Sequence, residues 1–158
     1  MDIRAIEDAD EAAVLVINEE AVWATSPMDT EALQRARDQA AHVLVADVDD
    51  QVAGFAIAYA PGSTYESINY RWHAQHFEGF LYLDRIVISS SFRRRGIANA
   101  MYDEMESRAK EHGRMVCEVN SDPPNVESLA FHAARGYREL GHLTQLDGHE
   151  TVMMEKTL

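Results

Sequence analysis

The sequence predicts an α/β fold on a mixed sheet, and three observations carry that prediction. Ile97, Met101, Met105 and Ala109 recur every four residues and draw an apolar helical stripe. FLYLDRIVIS and RMVCEVN are short runs rich in β-branched and aromatic residues, the composition of buried strands. Helical and extended stretches alternate in the order β-α-α-β-β-β-α-β-α-β-β. With 158 residues, 46% hydrophobic and 26% charged, the chain suits one globular domain over 1–158 rather than a disordered one.

The elements follow in order. DIRAI alternates like a short strand. DADEAAVLVINEEAVWAT reads as a helix with Asp8 or Asp10 as its cap and Val14, Ile17 and Ala21 on one face. SPMDTEALQRARDQA is a second helix, and HVLVADVDDQVAGFAIAYAP is a hairpin turning near Asp49 and Asp50. GSTYESINYRWHAQHFEG has no clean period and reads as a loop with a helical piece. FLYLDRIVIS is the fourth strand. In the helix that follows, Glu104 with Arg108 and Glu106 with Lys110 are spaced for ion pairs. Gly113 offers a left-handed stop. RMVCEVN is a strand, NVESLAFHAARG a helix, and YRELGHLTQL and ETVMMEKTL the last two strands.

Composition excludes several classes. The net charge of −13 argues against general nucleic-acid binding. No apolar run reaches the roughly 20 residues that span a bilayer. The acidic start MDIRAIEDAD lacks the basic and apolar regions of a secretory signal. The lone Cys117, inside MVCEV, reads as buried core and suits a reducing, cytoplasmic setting. Residues 1–50 hold 13 acids and 3 bases. That excess is either a solvated surface or part of a cleft that draws a cationic substrate.

Against this acidity, SSSFRRRGIANAMYDEM concentrates Arg93, Arg94 and Arg95 before a single glycine at a helix start. The first N–H groups of a helix lack internal partners, and the helix dipole adds positive charge there. Gly96 lets the backbone approach a ligand closely, and arginines add charge-assisted bonds to phosphate. The segment therefore suits a pyrophosphate cradle. It is neither a Walker loop nor a Rossmann fingerprint, and by itself a solvated turn is the alternative.

RRRGIA (Arg93 to Ala98) resembles the acyl-CoA motif of the GCN5-related N-acetyltransferase (GNAT) family. LDRIVISSSF resembles that family's fourth strand and its exit. NVESLAFHAARGY resembles its second cofactor motif, with Asn125, Ser128, Phe131, Gly136 and Tyr137 at matching spacings. The resemblance implies a mostly antiparallel sheet with helices on both faces and splayed central strands. It implies acetyl-CoA as cofactor, with the pyrophosphate on the amides of Arg94, Arg95, Gly96, Ile97 and Ala98 and Arg93 at the loop entry. The pantetheine arm would pair with Ile86, Val87 and Ile88 like an added strand. Asn120 would flank the thioester, and Asn125, Ser128 and Phe131 would contact the cofactor from the next helix.

The resemblance further implies direct acetyl transfer to a primary amine, small or peptidic, and a homodimer as one option; composition adds the cytoplasmic setting and the expectation of no nucleic-acid or membrane partner. Many members have a tyrosine where this chain has His132. His132 is then the acid for the departing thiolate, a phosphate contact or a packing residue. Asp84 shares a strand face with Tyr82 and is the candidate base; a structural ion pair with an arginine is the other reading. Glu78 and Glu20 are weaker candidates for the base. His73 and His76 are spaced for a shared metal on a helix but show no third ligand, so no metal is assigned. Tyr65, Tyr70, Trp72 and Phe77 suit either a substrate pocket or the core. A non-catalytic CoA-binding sensor, or an acyl-CoA hydrolase or O-acyltransferase, would carry the same motifs.

Overall fold

In the computed structural model, which describes residues 1–158, the predicted order of elements holds. β1 (Asp2–Ala5) leads through a 3-10 turn into α1 (Glu11–Glu20) and α2 (Thr30–Gln39). β2 (His42–Val48) and β3 (Gln51–Tyr59) form the hairpin, and α3 (Ile68–His76) is the helical piece of the aperiodic stretch. β4 (Leu81–Ile88), α4 (Ile97–Ala109), β5 (Arg114–Asp122), α5 (Val126–Ala134), β6 (Arg138–Thr144) and β7 (Glu150–Thr157) complete the chain. α2 starts where Asp29 accepts from the Ala32 N–H at 2.8 Å. α3 starts where the Ser67 hydroxyl accepts from the N–H groups of Asn69 and Tyr70.

Two local expectations are corrected. Neither Asp8 nor Asp10 caps α1 with its side chain. Asp10 instead takes a two-pronged bond from Arg4 at 2.7 and 3.0 Å and reaches back to the Glu7 N–H. Asp8 pairs with Arg37 of α2. Glu104 and Arg108 do pair, at 2.7 Å, but Glu106 does not meet Lys110. α4 ends at Ala109, and Glu106 turns inward to Arg135 and Lys156, where a protected charge is better satisfied than on the surface.

Seven strands form one sheet in the order β1-β2-β3-β4-β5-β7-β6, and every neighbouring pair is antiparallel except β4 with β5. Strand alternation sends the two faces of β3 into two cores. Ala56 and Ala58 are small and leave room for Met101 and Met105 of the α4 stripe. Phe55, Ile57 and Tyr59 pack on the other face against Val14 and Ile17 of α1, Leu33 of α2 and Tyr70 of α3. Cys117 lies buried in the α4 core.

β4 and β5 pair only at Leu81 with Met115 and Tyr82 with Val116, and then part. On its other side β4 stays bonded to β3 as far as Ile88. The register between them slips so that Ile57 faces Arg85 and Ala58 faces Leu83, which makes Asp84 the extra residue of a bulge.

The end of β4 is held tightly. A Cβ built on Gly54 would lie 2.7 Å from the Val87 carbonyl oxygen and 2.7 Å from Cδ1 of Ile88. Gly54→Ala is expected to cost about 1–3 kcal/mol by overpacking. Urea unfolding checks this as a lower midpoint at unchanged slope. An unchanged midpoint would mean that the two strands have slack here.

Candidate active site

Where β4 and β5 part, a cavity of about 620 Å³ opens. It is lined by the loop after α1, the start of α3, Leu83–Ile86 of β4, Cys117–Asn120 of β5, α5 and the β6–β7 loop. The β4 bulge decides what faces it. Strict alternation would put Asp84 and Arg85 on opposite faces; the extra residue brings them together, and they pair at 2.9 Å. Arg85 also donates to Asn18 Oδ1 and to the Ser26 carbonyl and hydroxyl, tying the loop after α1 to the sheet. Asp84 accepts from the Tyr65 hydroxyl at 2.7 Å. Asp84 thus lines the cavity and forms the ion pair with an arginine that was the other reading of it.

Glu118, which the sequence reading passed over, faces Asp84 across the gap. Its carboxyl is buried, and burial pushes its pKa from the ordinary 4.5 up to about 8, with the Asp84 charge adding to the rise. Tyr82 donates to Oε1 at 2.8 Å and Asn69 Nδ2 at 3.2 Å; Oε2 has no partner in the chain. Gln145 locks Asn69 in turn at 2.8 Å and is itself held by Thr151. The signal was in the sequence: one carboxylate interrupts MVCEV, a strand otherwise apolar on both faces.

The free edge of β4, Ile86–Ile88, leads through a 3-10 turn at Ser90–Phe92 into the arginine loop. Glu20 stands outside the cavity lining. Its carboxylate accepts from the Ser90 N–H at 2.7 Å and the Ser89 hydroxyl, which holds its pKa below the usual range. Arg93, Arg94 and Arg95 are exposed and make no ion pair. Arg94 and Gly96 both have positive φ, 60° and 77°. The first α4 bond runs from the Ala100 N–H to the Gly96 carbonyl, so the amides of Ile97, Ala98 and Asn99 lack intrahelical acceptors. Ile97 buries its side chain and offers only its backbone. A Cβ on Gly96 would meet nothing within 4 Å, so space above the loop is open. A strand edge without a partner, an open turn, unpaired amides and three guanidinium groups without a carboxylate, one of them (Arg95) over the Phe92 ring, fit a cofactor with an amide-bearing arm and a pyrophosphate.

Asp84, Ile86, Asn120, Asn125, Ser128 and His132 all line the cavity. Asn125 also caps α5, accepting from the Ser128 N–H at 3.2 Å. Val87 points into the α1 core, and Phe131 packs on Tyr102. His132 is buried, which lowers its pKa. Of the aromatic cluster only Tyr65 lines the cavity, stacked on Tyr59 at 3.9 Å; Tyr70 is core, Trp72 stacks on His76, and Phe77 lies under Arg114. Glu78 is exposed and stands outside the lining. His73 is buried against the Cys117 carbonyl, and His76 is exposed with its Nδ1 at the Trp72 carbonyl.

A family model described as the acetyltransferase (GNAT) family matches residues 6–137. Among solved structures, a ribosomal-protein-alanine N-acetyltransferase from Brucella melitensis is 26% identical over 100% of both chains, with a TM-score of 0.76. Ard1 from Thermoplasma volcanium is 18% identical over 99% of this chain and 97% of its own, with a TM-score of 0.78. The yncA protein of Salmonella typhimurium, solved with its cofactor acetyl-CoA, is 20% identical over 99% and 93%, with a TM-score of 0.71. The last two attest the fold. No curated protein matched the sequence.

The raised pKa of Glu118 has a stability consequence. Between pH 4.5 and about 8 the unfolded chain loses this proton and the folded chain keeps it, so the wild type loses stability as pH rises. Above about pH 8 both states are ionised and the loss is complete, at most about 5 kcal/mol. Glu118→Gln, neutral throughout, is expected to be more stable than wild type at pH 8.5, with the gap closing toward pH 4.5. Denaturant melts across this range check it; a pH-independent gap would mean that Glu118 is ionised when folded.

Proposed function

The chain belongs to the GNAT acetyltransferase family, and from that premise we propose that it is an N-acetyltransferase that moves an acetyl group directly to a primary amine arriving as a cation. The family uses acetyl-CoA, which when bound supplies an acetyl group activated as a thioester. Arg93–Ala98 would hold its pyrophosphate and the free edge of Ile86–Ile88 its arm. Asn120, Asn125, Ser128 and Phe131 would surround the reacting end.

The observation that carries the reading is Glu118. An incoming ammonium must lose a proton before its nitrogen can attack, and a base works best with a pKa near the working pH. Glu118 meets that demand at the gap, with Oε2 free to take the proton while Tyr82 and Asn69 fix Oε1. Asp84, the candidate from the sequence, is committed to Arg85 and Tyr65; its role in this proposal is to keep the Glu118 pKa high and to attract the cation. Glu66 and Asp147 add charge to the lining, and its one arginine, Arg85, is already occupied. Such a cavity concentrates cations. The relative from Brucella melitensis is named for ribosomal-protein alanine, so an amine panel should set alanine-initiated peptides beside small polyamines.

The rate is expected to rise with pH through a limb centred near 8, as Glu118 loses its proton. Glu118→Gln should lower kcat about 100- to 10,000-fold and abolish the limb. Asp84→Asn should stay active and move the limb to lower pH, because a charge that opposes ionisation is gone. A limb that survives Glu118→Gln and vanishes with Asp84→Asn would return the base role to Asp84. Acetyl-CoA binding without amine-dependent CoA release would favour the sensor reading.

The cofactor loop makes a separate prediction. Gly96→Glu forces a side chain into a left-handed position and sets a negative charge at the cradle. Calorimetry should show acetyl-CoA affinity reduced at least about tenfold, 1.4 kcal/mol or more. Unchanged affinity would put the pyrophosphate elsewhere.

A further inference from the structure

Up to a pH of about 8 the folded chain keeps a proton on Glu118, so it matters which of the two carboxyl oxygens carries it. Oε1 has two neighbours, the Tyr82 hydroxyl at 2.8 Å and Asn69 Nδ2 at 3.2 Å, and Oε2 has none in the chain. A phenol both donates and accepts, so Tyr82 alone would let the proton sit on either oxygen. Its own oxygen also lies 3.4 Å from Asp84 Oδ1, an acceptor to which it could turn. An amide NH2 only donates. The carbonyl oxygen of a neutral carboxyl is a good acceptor for it, and the hydroxyl oxygen is a poor one. With the Asn69 nitrogen toward Oε1, the proton therefore belongs on Oε2. Turned over, Asn69 would present its oxygen and draw the proton to Oε1.

The orientation of Asn69 is fixed from β6 and β7. The Thr151 hydroxyl lies 3.3 Å from the Leu143 carbonyl and 3.5 Å from the Met153 sulfur, two groups that only accept, so its one hydrogen points away from Gln145. Thr151 then accepts from Gln145 Nε2 at 2.8 Å. Gln145 Nε2 also donates to Asn69 Oδ1 at 2.8 Å, and Asn69 Nδ2 reaches back to Gln145 Oε1 at 3.4 Å. With two bonds between the amides, neither can turn over alone. The Gln145 backbone is held as well, its N–H donating to the His149 carbonyl at 2.7 Å across the β6–β7 turn.

We propose that Asn69, oriented by Gln145 and Thr151, is a positioning residue that keeps the transferable proton off Oε1 and on Oε2. This rests on the reading above in which Glu118 is the base. When an ammonium gives up its proton, an N–H bond breaks, the electron pair stays on nitrogen and the proton binds Oε2. Solvent removes that proton before the next cycle.

The other polar groups around Glu118 are left in place by changes to this chain of bonds. Asp84 and Arg85 of β4, Cys117 of its own strand and Tyr102 of α4 act on it through space. His73 of α3 turns to the Cys117 carbonyl. Glu66, His132, Asp147 and His149 line the same cavity, while the bonds to the Glu118 carboxyl come from Tyr82 and Asn69. Asn69→Ala, Gln145→Met and Thr151→Val remove no charge, so the series isolates orientation.

The test reads the carboxyl itself, with no acceptor present. In infrared difference spectra taken below and above the pH limb, the band of the protonated Glu118 carbonyl is the one missing from Glu118→Gln. With the proton on Oε2, the carbonyl oxygen is Oε1 and carries both hydrogen bonds. Asn69→Ala should then move the band to higher frequency. With the proton on Oε1, the carbonyl oxygen would be the unbonded Oε2 and the band would stay where it is. Carbon-13 titration of the same carboxyl should move up by about one pH unit in Asn69→Ala, because a donor to the ionised form is lost. Gln145→Met frees Asn69 to turn over and should add a second band at higher frequency; Thr151→Val should add the same band more weakly. In turnover, Asn69→Ala should carry the limb upward with the titration and keep acetyl-CoA affinity within about threefold. A bridge that only holds α3 to the β6–β7 turn would lower the urea midpoint and leave band, titration and limb in place. That result, or a single unshifted band in Gln145→Met, would overturn the proposal. Should Asn69→Ala fail to fold, the Gln145→Met spectrum decides. If the bands and the titration move as stated and no amine is acetylated, the acetyl-transfer reading falls and the seat of the proton stands.

Discussion

The parting of β4 and β5 after two paired residues is the constraint on which the rest depends. A parallel pair that continued would bury the β4 edge in a ladder and close the sheet. Because it stops, one edge of β4 is left without a strand partner, and the sheet acquires a gap reached from both faces. From one face come Asp84, Arg85 and Tyr65; from the other come Tyr102 and His132; Glu118 stands at the gap itself. The α4 helix starts beyond the free edge, so the same chain segment that ends the open strand supplies the unpaired amides of a helix start.

Three glutamates with shielded carboxyls show what distinguishes this gap from the rest of the protein. Glu155, fully buried on β7, is held by Arg114 at 2.7 Å and by Arg138. Glu106 is held by Arg135, Lys156 and the Tyr137 hydroxyl. Each has a cation to offset its desolvation, and each ties elements together. Glu118 has only a phenol and an amide for one oxygen, nothing for the other, and a like charge nearby. Burial without a cation is costly for an ionised carboxylate, and that cost raises its pKa to a value useful to a base.

The fold was largely legible because it rests on local patterns. The α4 stripe, the strand runs and the turn residues each speak for themselves, and their order survives intact. The arginine loop was legible for the same reason: its charge, its glycine and its helix start are contiguous in the sequence. What misled were charges whose partners are distant. Asp10 looked like a cap and Glu106 like half of a helical ion pair, yet Arg4, Arg135 and Lys156 claim them. Local spacing gives the available partners; burial and three-dimensional competition choose among them.

The amino-acid sequence by itself determined the elements, their order and the arginine–glycine turn at the start of α4. Each is set by residues within a few positions of one another, where backbone preference and apolar periodicity act. Only the tertiary structure decided which carboxylate is shielded at the gap with one oxygen unpartnered. A one-residue bulge turned Asp84 toward Arg85, and the groups that hold Glu118 come from β4 (Tyr82) and α3 (Asn69), the latter locked by Gln145 after β6. A pKa depends on everything within a few ångströms of a group, and distance through space is the quantity a linear sequence does not contain.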